Sequence, residues 1–152
     1  MAVARIGWNP WQVLRQREHL IFGLGELPDA VGGGVYWPVD DRIAAVLIDR
    51  SLDRVERNAV LAHELVHDEL GGGCDTDGMP DAWRDIATRD ERRCEDETVR
   101  RLVPPDDLEP FVAVAVANDL FLRDGVIEVA DRYDVPERIA RRALELLALS
   151  FS

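Results

Sequence analysis

Residues 51–73 read SLDRVERNAVLAHELVHDELGGG and predict the helix around which the rest of the chain is interpreted. Ser51 or Asp53 can cap its start, because a side-chain oxygen at that position accepts a hydrogen bond from a backbone N–H of the first turn. The helix then runs to about Leu70, and the glycines at 71–73 end it. The segment therefore predicts one long helix that carries two histidines.

The pentapeptide His63-Glu64-Leu65-Val66-His67 lies inside this helix. Histidines four positions apart project from one helical face, so both imidazoles can bind one metal ion. Glu64 projects to a different side of the same ion, where it can accept a proton from an attacking water instead of binding the metal. Zinc suits this set best, because imidazole and carboxylate are its ordinary ligands.

A chance match on an amphipathic helix is the competing interpretation of this motif. With three histidines in the chain, such a match is expected on the order of a few times in a thousand sequences. The uncharged residues around the motif favour a buried metal helix, whereas Asp68 and Glu69, directly after it, count against one. The balance favours a metal site at His63 and His67.

A third protein ligand has to come from another part of the chain. The longer zinc motif has a histidine six residues after the second one, but position 73 is a glycine. The remaining histidine, His19, precedes the predicted sheet. On a helix over residues 90–102, however, Glu91 and Glu95 both fall on the face that is expected to pack inward.

Two buried carboxylates need a metal, a cation or a hydrogen-bond donor. Glu91 as a metal ligand, with Glu95 holding the free nitrogen of a ligating histidine, meets this need. The reverse assignment is also open. The alternative is that both glutamates reach solvent, or the neighbouring arginines, at the edge of the helix.

The remaining pattern predicts an α+β fold, with a small, mostly antiparallel sheet packed against several helices. Asn9 and Pro10 open a first helix, and Asp40-Asp41 is expected to turn a hairpin. Strands are predicted over residues 20–24, 35–39 and 43–48, and further helices over residues 82 or 90 to 102, 111–122, 126–133 and 137–149.

The composition fits a single domain over residues 1–152, with residues 126–149 as a C-terminal helical pair. The chain is 47% apolar and 32% charged, which excludes a disordered tail or a small disulfide-held protein. Its net charge of −12 repels phosphate backbones, so no direct nucleic-acid partner is expected. Acidic residues also offset the arginines of the C-terminal pair, which favours packing over DNA recognition.

The sequence predicts a cytoplasmic protein without a membrane anchor. Its first ten residues lack the pattern of a signal peptide. The most apolar stretch, residues 111–122, is too short to span a bilayer. Cys74 and Cys94 are interpreted as small buried residues, with a disulfide or an additional metal ligand as the alternatives.

Residues 61–67, LAHELVH, followed by residues 90–104, DERRCEDETVRRLVP, resemble the ImmA/IrrE family of metallopeptidases. The likeness is closest to the compact members carried by phages and mobile elements of GC-rich bacteria. The helix at Asn9-Pro10-Trp11, the strand at 43–48 and the turn at 133–136 also resemble that group, so the likeness covers most of the chain. In the family the third ligand is a glutamate ahead of an Ala-Asn or Val-Asp pair. Here Cys94-Glu95 occupies that pair, so the resemblance implies Glu91 as the ligand.

The resemblance implies a zincin-like, zinc-dependent endopeptidase that acts on a protein, in several members a repressor. His63, His67 and Glu91 would hold Zn²⁺ in a gluzincin-like set, and Glu64 would be the catalytic base. His19, Tyr36 and Tyr133 are candidates for an additional donor to the scissile carbonyl oxygen. An edge strand of the hairpin could pair with an extended substrate. The alternative function is a non-catalytic, metal-stabilised regulator that acts by binding a repressor or another partner.

Overall fold

A computed structural model describes residues 8–71, 81–118 and 125–151, without the side chains of residues 30 and 81–87. Helices and one small sheet alternate in the order that the sequence predicts, which confirms the α+β class. The elements are α1 (Pro10–Gln16), β1 (Leu20–Gly25), a 3₁₀ turn (Asp29–Val31), β2 (Gly34–Pro38), β3 (Ala44–Asp49), α2 (Arg54–Leu70), α3 (Asp81–Leu102), α4 (Pro105–Ala117), α5 (Gly125–Tyr133) and α6 (Glu137–Leu149).

The chain divides into two compact units. One comprises Pro10–Thr98, and the other comprises Met1–Asn9 with Val99–Ser152. The first unit contains the sheet, α2 and most of α3, and the second contains α4, α5 and α6. The single-domain organisation expected from the length of the chain stays a prediction.

The three strands lie in the order β1-β3-β2. β2 and β3 form the predicted antiparallel hairpin, and Oδ1 of Asp40 accepts hydrogen bonds from the backbone N–H groups of Arg42 and Ile43 in its turn. β1, however, pairs with β3 in parallel. The sheet is therefore mixed, not mostly antiparallel. The apolar pattern of a strand shows which residues it buries but not which neighbour it pairs with, and β3 inserts between the two earlier strands.

Helix α2 packs against β2 and β3 and forms the core of the first unit. Ala44, Val46 and Ile48 alternate along β3 toward the inside and are buried, as period-two strand geometry requires. Leu61 and Leu65, one turn apart on α2, are completely buried. The central strand and the middle of α2 thus fix each other.

Both ends of α2 follow the sequence prediction. Asp53 is the N-cap, and its side chain accepts a hydrogen bond from the backbone N–H of Glu56 at 2.9 Å. Ser51, the other candidate, instead donates its hydroxyl to Asp49. At the far end, Gly71 has a φ of 104°, which glycine adopts without the steric cost of a side chain, and it caps the helix.

Helix α1 is anchored to α2 by its tryptophan. Nε1–H of Trp11 donates to Oδ1 of Asn58, a buried residue of α2. The ring of Trp11 also meets Phe22 of β1 edge to face, with centroids 5.3 Å apart. The two contacts hold the start of the unit against both its sheet and its long helix.

The second unit contains the predicted helical pair. α5 and α6 pack together, with Val129, Ile139 and Ala140 buried, and α4 also contacts α6. α4 begins at Pro105 instead of residue 111, because proline is well suited to the first position of a helix as well as to ending the previous one. α4 ends at Ala117, with Asn118 as its C-cap, earlier than predicted. Position 122 itself falls outside the described residues.

In the described part of the chain, no helix combines the length and apolar character needed to cross a membrane.

Candidate metal centre

Helices α2 and α3 bring together two imidazoles and one carboxylate. Nε2 of His63 lies 2.7 Å from Oε1 of Glu91, and Nε2 of His67 lies 3.0 Å from Oε2 of the same side chain. The two Nε2 atoms are themselves 3.0 Å apart. All three side chains thus direct one ligand atom toward a common point, as the sequence predicts for His63 and His67.

These distances fit a small cation. Tetrahedral ligands bound at 2.0–2.1 Å lie roughly 3.3 Å from one another, and the separations observed here are about 0.3–0.6 Å shorter. The three ligand atoms all lie within 4.8 Å of each other, and this group could bind a metal ion. A small outward rotation of the side chains would complete the fit.

The three side chains differ in their exposure. The side chain of His67 is 7% exposed and that of His63 19%, whereas that of Glu91 is 52% exposed. Hydrogen bonds from both histidines hold the pKa of Glu91 well below its usual range. The imidazole of His67 on α2 is therefore buried and that of His63 partly buried. Glu91 on α3 is half exposed, so the prediction that its carboxylate is buried is wrong.

Glu64 is buried beside the cluster and is not one of its converging ligands. Burial raises the pKa of its carboxyl group, and the charges of His63 and His67 act in the opposite direction. On its other side Glu64 approaches β2: a Cβ added at Gly34 would overlap Val60 and lie 3.1 Å from Oε1 of Glu64. The carboxylate of Glu64 therefore lies between the cluster and β2.

Glu95 does not lie where the sequence analysis places it. Its side chain is exposed, so the prediction that it faces inward is wrong, and the structure does not support its predicted contact with a ligating histidine. Periodicity gives the direction in which a side chain projects, but burial also requires a neighbour at the same height along the helix. Cys94 and Thr98, on the same face, are 3% and 1% exposed.

Cys94 contacts the outer nitrogen of a predicted ligand, a position that the sequence does not predict. It is a buried free thiol, and its Sγ atom lies 3.5 Å from Nδ1 of His67. Burial, followed by the charge of Glu91, raises the pKa of this thiol to about 11. Its interpretation as a buried residue is confirmed, while Cys74 falls outside the described residues.

Asp68 forms a second polar cluster, directly after the metal motif. Its buried carboxylate accepts hydrogen bonds at 2.9 Å from Nη1 of Arg17 and the hydroxyl of Tyr36, and Nε2 of His19 lies 2.9 Å away. Arg17 also pairs with Glu69. The two acidic residues that count against a buried metal helix in the sequence are therefore paired. Arg17 and His19 lie about 50 positions before Asp68 in the chain, and Tyr36 lies 32 positions before it. No local pattern could therefore have identified these partners.

The candidate oxyanion donors are engaged elsewhere in the structure. Tyr36 and His19 contact Asp68, and burial with this hydrogen bond raises the pKa of Tyr36 to about 12. Tyr133 belongs to the other unit, where it donates to Asp107. None of these contacts assigns a donor to the scissile carbonyl oxygen.

Comparisons of the chain with protein-family models, curated proteins and solved structures give no match. Function therefore has to be inferred from the motif and from the geometry of the site.

Proposed function

We propose that this protein is a zinc-dependent endopeptidase. The observation that carries the proposal is the convergence of His63, His67 and Glu91 on one point, with the buried carboxylate of Glu64 beside them. A structural site would need the three ligands but has no use for a fourth, non-ligating carboxylate in this position. A hydrolytic site has such a use, because it needs a group that moves a proton.

Zinc is the ion that this set of ligand atoms fits best. Two imidazole nitrogens and one carboxylate oxygen are ordinary zinc ligands, and three protein ligands leave a fourth position open. The half-exposed side chain of Glu91 supports an open position that solvent or a substrate could reach. When bound, the ion would lower the pKa of a water molecule and polarise the carbonyl group of the peptide bond.

Glu64 is the general base in this proposal. Its carboxylate accepts the proton of the attacking water and then donates it to the amine that leaves. Burial supports this role, because it raises the pKa of the carboxyl group and so increases its affinity for a proton. Glu64 lies between His63 and His67 on the same helix, so its carboxylate would be close to the attacking water.

An extended polypeptide suits the strand beside the site. Among the described strands, β2 pairs with β3 on one side and forms an edge on the other. The backbone N–H of Asp49 donates to the carbonyl of Gly33, and that of Val39 donates to the carbonyl of Ile43. The odd-numbered residues of this segment therefore direct their backbone N–H and C=O groups toward β3. Gly34 and Tyr36 therefore turn their backbone groups to the edge, where another strand can add. Because Gly34 also adjoins Glu64, a peptide paired there would pass the proposed base.

The proposed substrate is a regulatory protein, such as the repressor of a phage or mobile element. This part rests on the resemblance of residues 61–67 and 90–104 to the ImmA/IrrE family. Cleavage would occur in an unstructured segment, because only an extended chain can add to the edge of β2. A protein that cleaves such a repressor would lie in the same compartment, the cytoplasm.

The test compares three proteins loaded with Zn²⁺: the parent, Glu64→Gln and Glu95→Gln. Each is incubated with the repressor encoded beside its gene and with a library of unstructured peptides, and the products are identified by mass spectrometry. We expect Glu64→Gln to bind the metal but to cleave about 10²- to 10⁴-fold more slowly than the parent. Glu95→Gln changes an exposed carboxylate of α3 and should keep the parent rate.

Two outcomes would contradict the proposal. Cleavage by Glu64→Gln at the parent rate would remove the general base. A parent protein that binds zinc and the repressor but cleaves neither the repressor nor any peptide would instead be the non-catalytic regulator.

A further inference from the structure

The second ring nitrogen of His67 points to a residue with no assigned role. Nε2 of His67 is the atom that joins the cluster, at 3.0 Å from both His63 and Glu91. To bind a cation this nitrogen has to carry a lone pair, so the proton of the neutral ring has to sit on Nδ1. Nδ1–H then needs an acceptor.

Cys94 lies in the position of that acceptor. Its Sγ atom is 3.5 Å from Nδ1 of His67, a normal separation for a hydrogen bond to sulfur. The thiol is buried at 3% exposure, so the contact is shielded from competing water. Cys94 lies one turn after Glu91 on α3, so the same helix supplies one ligand and supports another.

We infer that Cys94 is a positioning residue of the metal centre, which accepts a hydrogen bond from Nδ1–H of His67 and so directs Nε2 toward the ion. The inference rests on the metal site of the proposed function but not on catalysis. It gives Cys94 the role that the sequence analysis assigns to Glu95. Since a thiol is a weaker acceptor than a carboxylate, we expect a smaller effect than that of a carboxylate partner.

The sulfur is not itself a ligand in this arrangement. Among the described residues, the atoms that converge within 4.8 Å belong to His63, His67 and Glu91. Cys94 faces the opposite edge of the imidazole of His67, at Nδ1, while the cluster forms at Nε2. The thiol therefore acts on the metal through the orientation and the tautomer of the ring.

The test separates the acceptor from the volume that it fills. Cys94→Val fills the buried space but has no hydrogen-bond acceptor, whereas Cys94→Ser keeps an acceptor on a smaller side chain. Thr98→Ala is the matched control, because it truncates a buried polar side chain whose hydroxyl donates to the backbone carbonyl of Cys94 and not to its thiol. The affinity of each metal-free protein for Zn²⁺ is measured by competition with a chromophoric chelator, and folding is checked by thermal unfolding in the presence of chelator.

We expect Cys94→Val to bind Zn²⁺ about tenfold more weakly than the parent, at the low end of the range for lost partners of ligating histidines. Cys94→Ser should recover most of this loss, and Thr98→Ala should bind like the parent. Nitrogen-15 NMR of the zinc-loaded parent should show a protonated Nδ1 at His67 that exchanges slowly with water. The same signal should exchange faster in Cys94→Val.

Three results distinguish failure of this inference from failure of the proposed function. If the parent binds zinc and Cys94→Val binds it equally well, the inference is wrong and the metal site stands. If Cys94→Ser and Cys94→Val lose affinity equally, the role is packing and not hydrogen bonding, which also overturns the inference. If the parent itself does not bind zinc, there is no metal centre, and the proposed function and this inference are both wrong.

Discussion

Two carboxylates of one small cluster experience opposite surroundings. Glu64 is buried, and the loss of solvation raises its pKa. Glu91 is half exposed, and hydrogen bonds from His63 and His67 lower its pKa. A group with a raised pKa can act as a base near neutral pH, whereas one with a lowered pKa stays charged and can bind a cation. In the proposed mechanism, these surroundings suit Glu64 to the role of the base and Glu91 to that of a ligand.

The raised pKa of Glu64 predicts how the metal-free chain responds to pH. A glutamate in the unfolded chain titrates at about pH 4.3, and burial in the folded chain favours the protonated form of Glu64. The stability that Glu64 contributes is thus present below that pH and is lost as pH rises through its higher folded pKa. Glu64→Gln cannot ionise, so the metal-free variant should gain stability over the parent as pH rises.

Urea unfolding in the presence of a chelator, at several pH values from about 4 to about 8, measures this difference. The parent serves as the reference at each pH, which cancels the titration of the other groups. A difference in the free energy of unfolding that did not change with pH would contradict the raised pKa of Glu64.

Asp68 is expected to matter for stability as much as any apolar residue of α2. Its side chain is 8% exposed and accepts from Arg17 and Tyr36. Removing one member of a buried charged network leaves the others without a partner, at a typical cost of about 3–5 kcal/mol. Because Arg17 is partly exposed, we expect Asp68→Ala to lower the free energy of unfolding by about 2–4 kcal/mol.

Glu95→Ala is the matched control, because it removes an exposed carboxylate and should change stability by less than about 0.5 kcal/mol. Both variants are compared with the parent by urea unfolding. Equal effects of the two substitutions would show that the Asp68 cluster is not a stabilising network.

Among the helices and strands, the ends of a helix can be predicted from the sequence, because they are set by the residues next to them. The cap at Asp53 and the glycine at position 71 predict α2 to within one residue. The parallel pairing of β1 with β3 could not be predicted, because it depends on which strand enters the middle of the sheet. The same limit applies to the candidate site. The local motif at residues 63–67 predicts two candidate metal ligands, whereas the places of Cys94 and Asp68 are set by contacts between distant segments.

The close approach of β2 to α2 predicts a steric effect at Gly34. A Cβ at this position would overlap Val60 of α2 and come within 3.1 Å of the carboxylate of Glu64. Gly34→Ala should therefore lower the free energy of unfolding by about 1–3 kcal/mol, as overpacking does. Because Glu64 would be displaced as well, we also expect slower peptide cleavage in the zinc-loaded variant.

Gly25→Ala provides the control in the same sheet. An added Cβ at Gly25 meets no atom within 4 Å, so this variant should keep its stability to within about 0.5 kcal/mol and keep the parent rate of cleavage. Thermal unfolding and a peptide-cleavage assay measure both quantities. A Gly34→Ala protein as stable as Gly25→Ala would show that the strand and helix can move apart at little cost.

At the scale of the whole molecule, the proposed ion would link two helices that are far apart in the chain. His63 and His67 belong to α2, and Glu91 belongs to α3, beginning at Asp81. The ligands converge only when both helices are in place, so an ion that binds them favours the folded chain over the unfolded one. If the proposed site binds zinc, metal affinity and folding stability would therefore be coupled.

This coupling predicts that zinc raises the temperature of unfolding. At a free zinc concentration one hundred times the dissociation constant, binding adds about 2.7 kcal/mol to the free energy of unfolding. For a chain of this length that corresponds to an increase of roughly 5–10 °C in the midpoint. Chelation should reverse the increase.

Glu91→Ala should lose most of this zinc-dependent increase, because one of the three ligands is gone. Glu64→Gln should retain it, because Glu64 is not a ligand. Scanning calorimetry of the three proteins with and without zinc measures these shifts, and an equal increase in Glu91→Ala and the parent would exclude Glu91 as the third ligand.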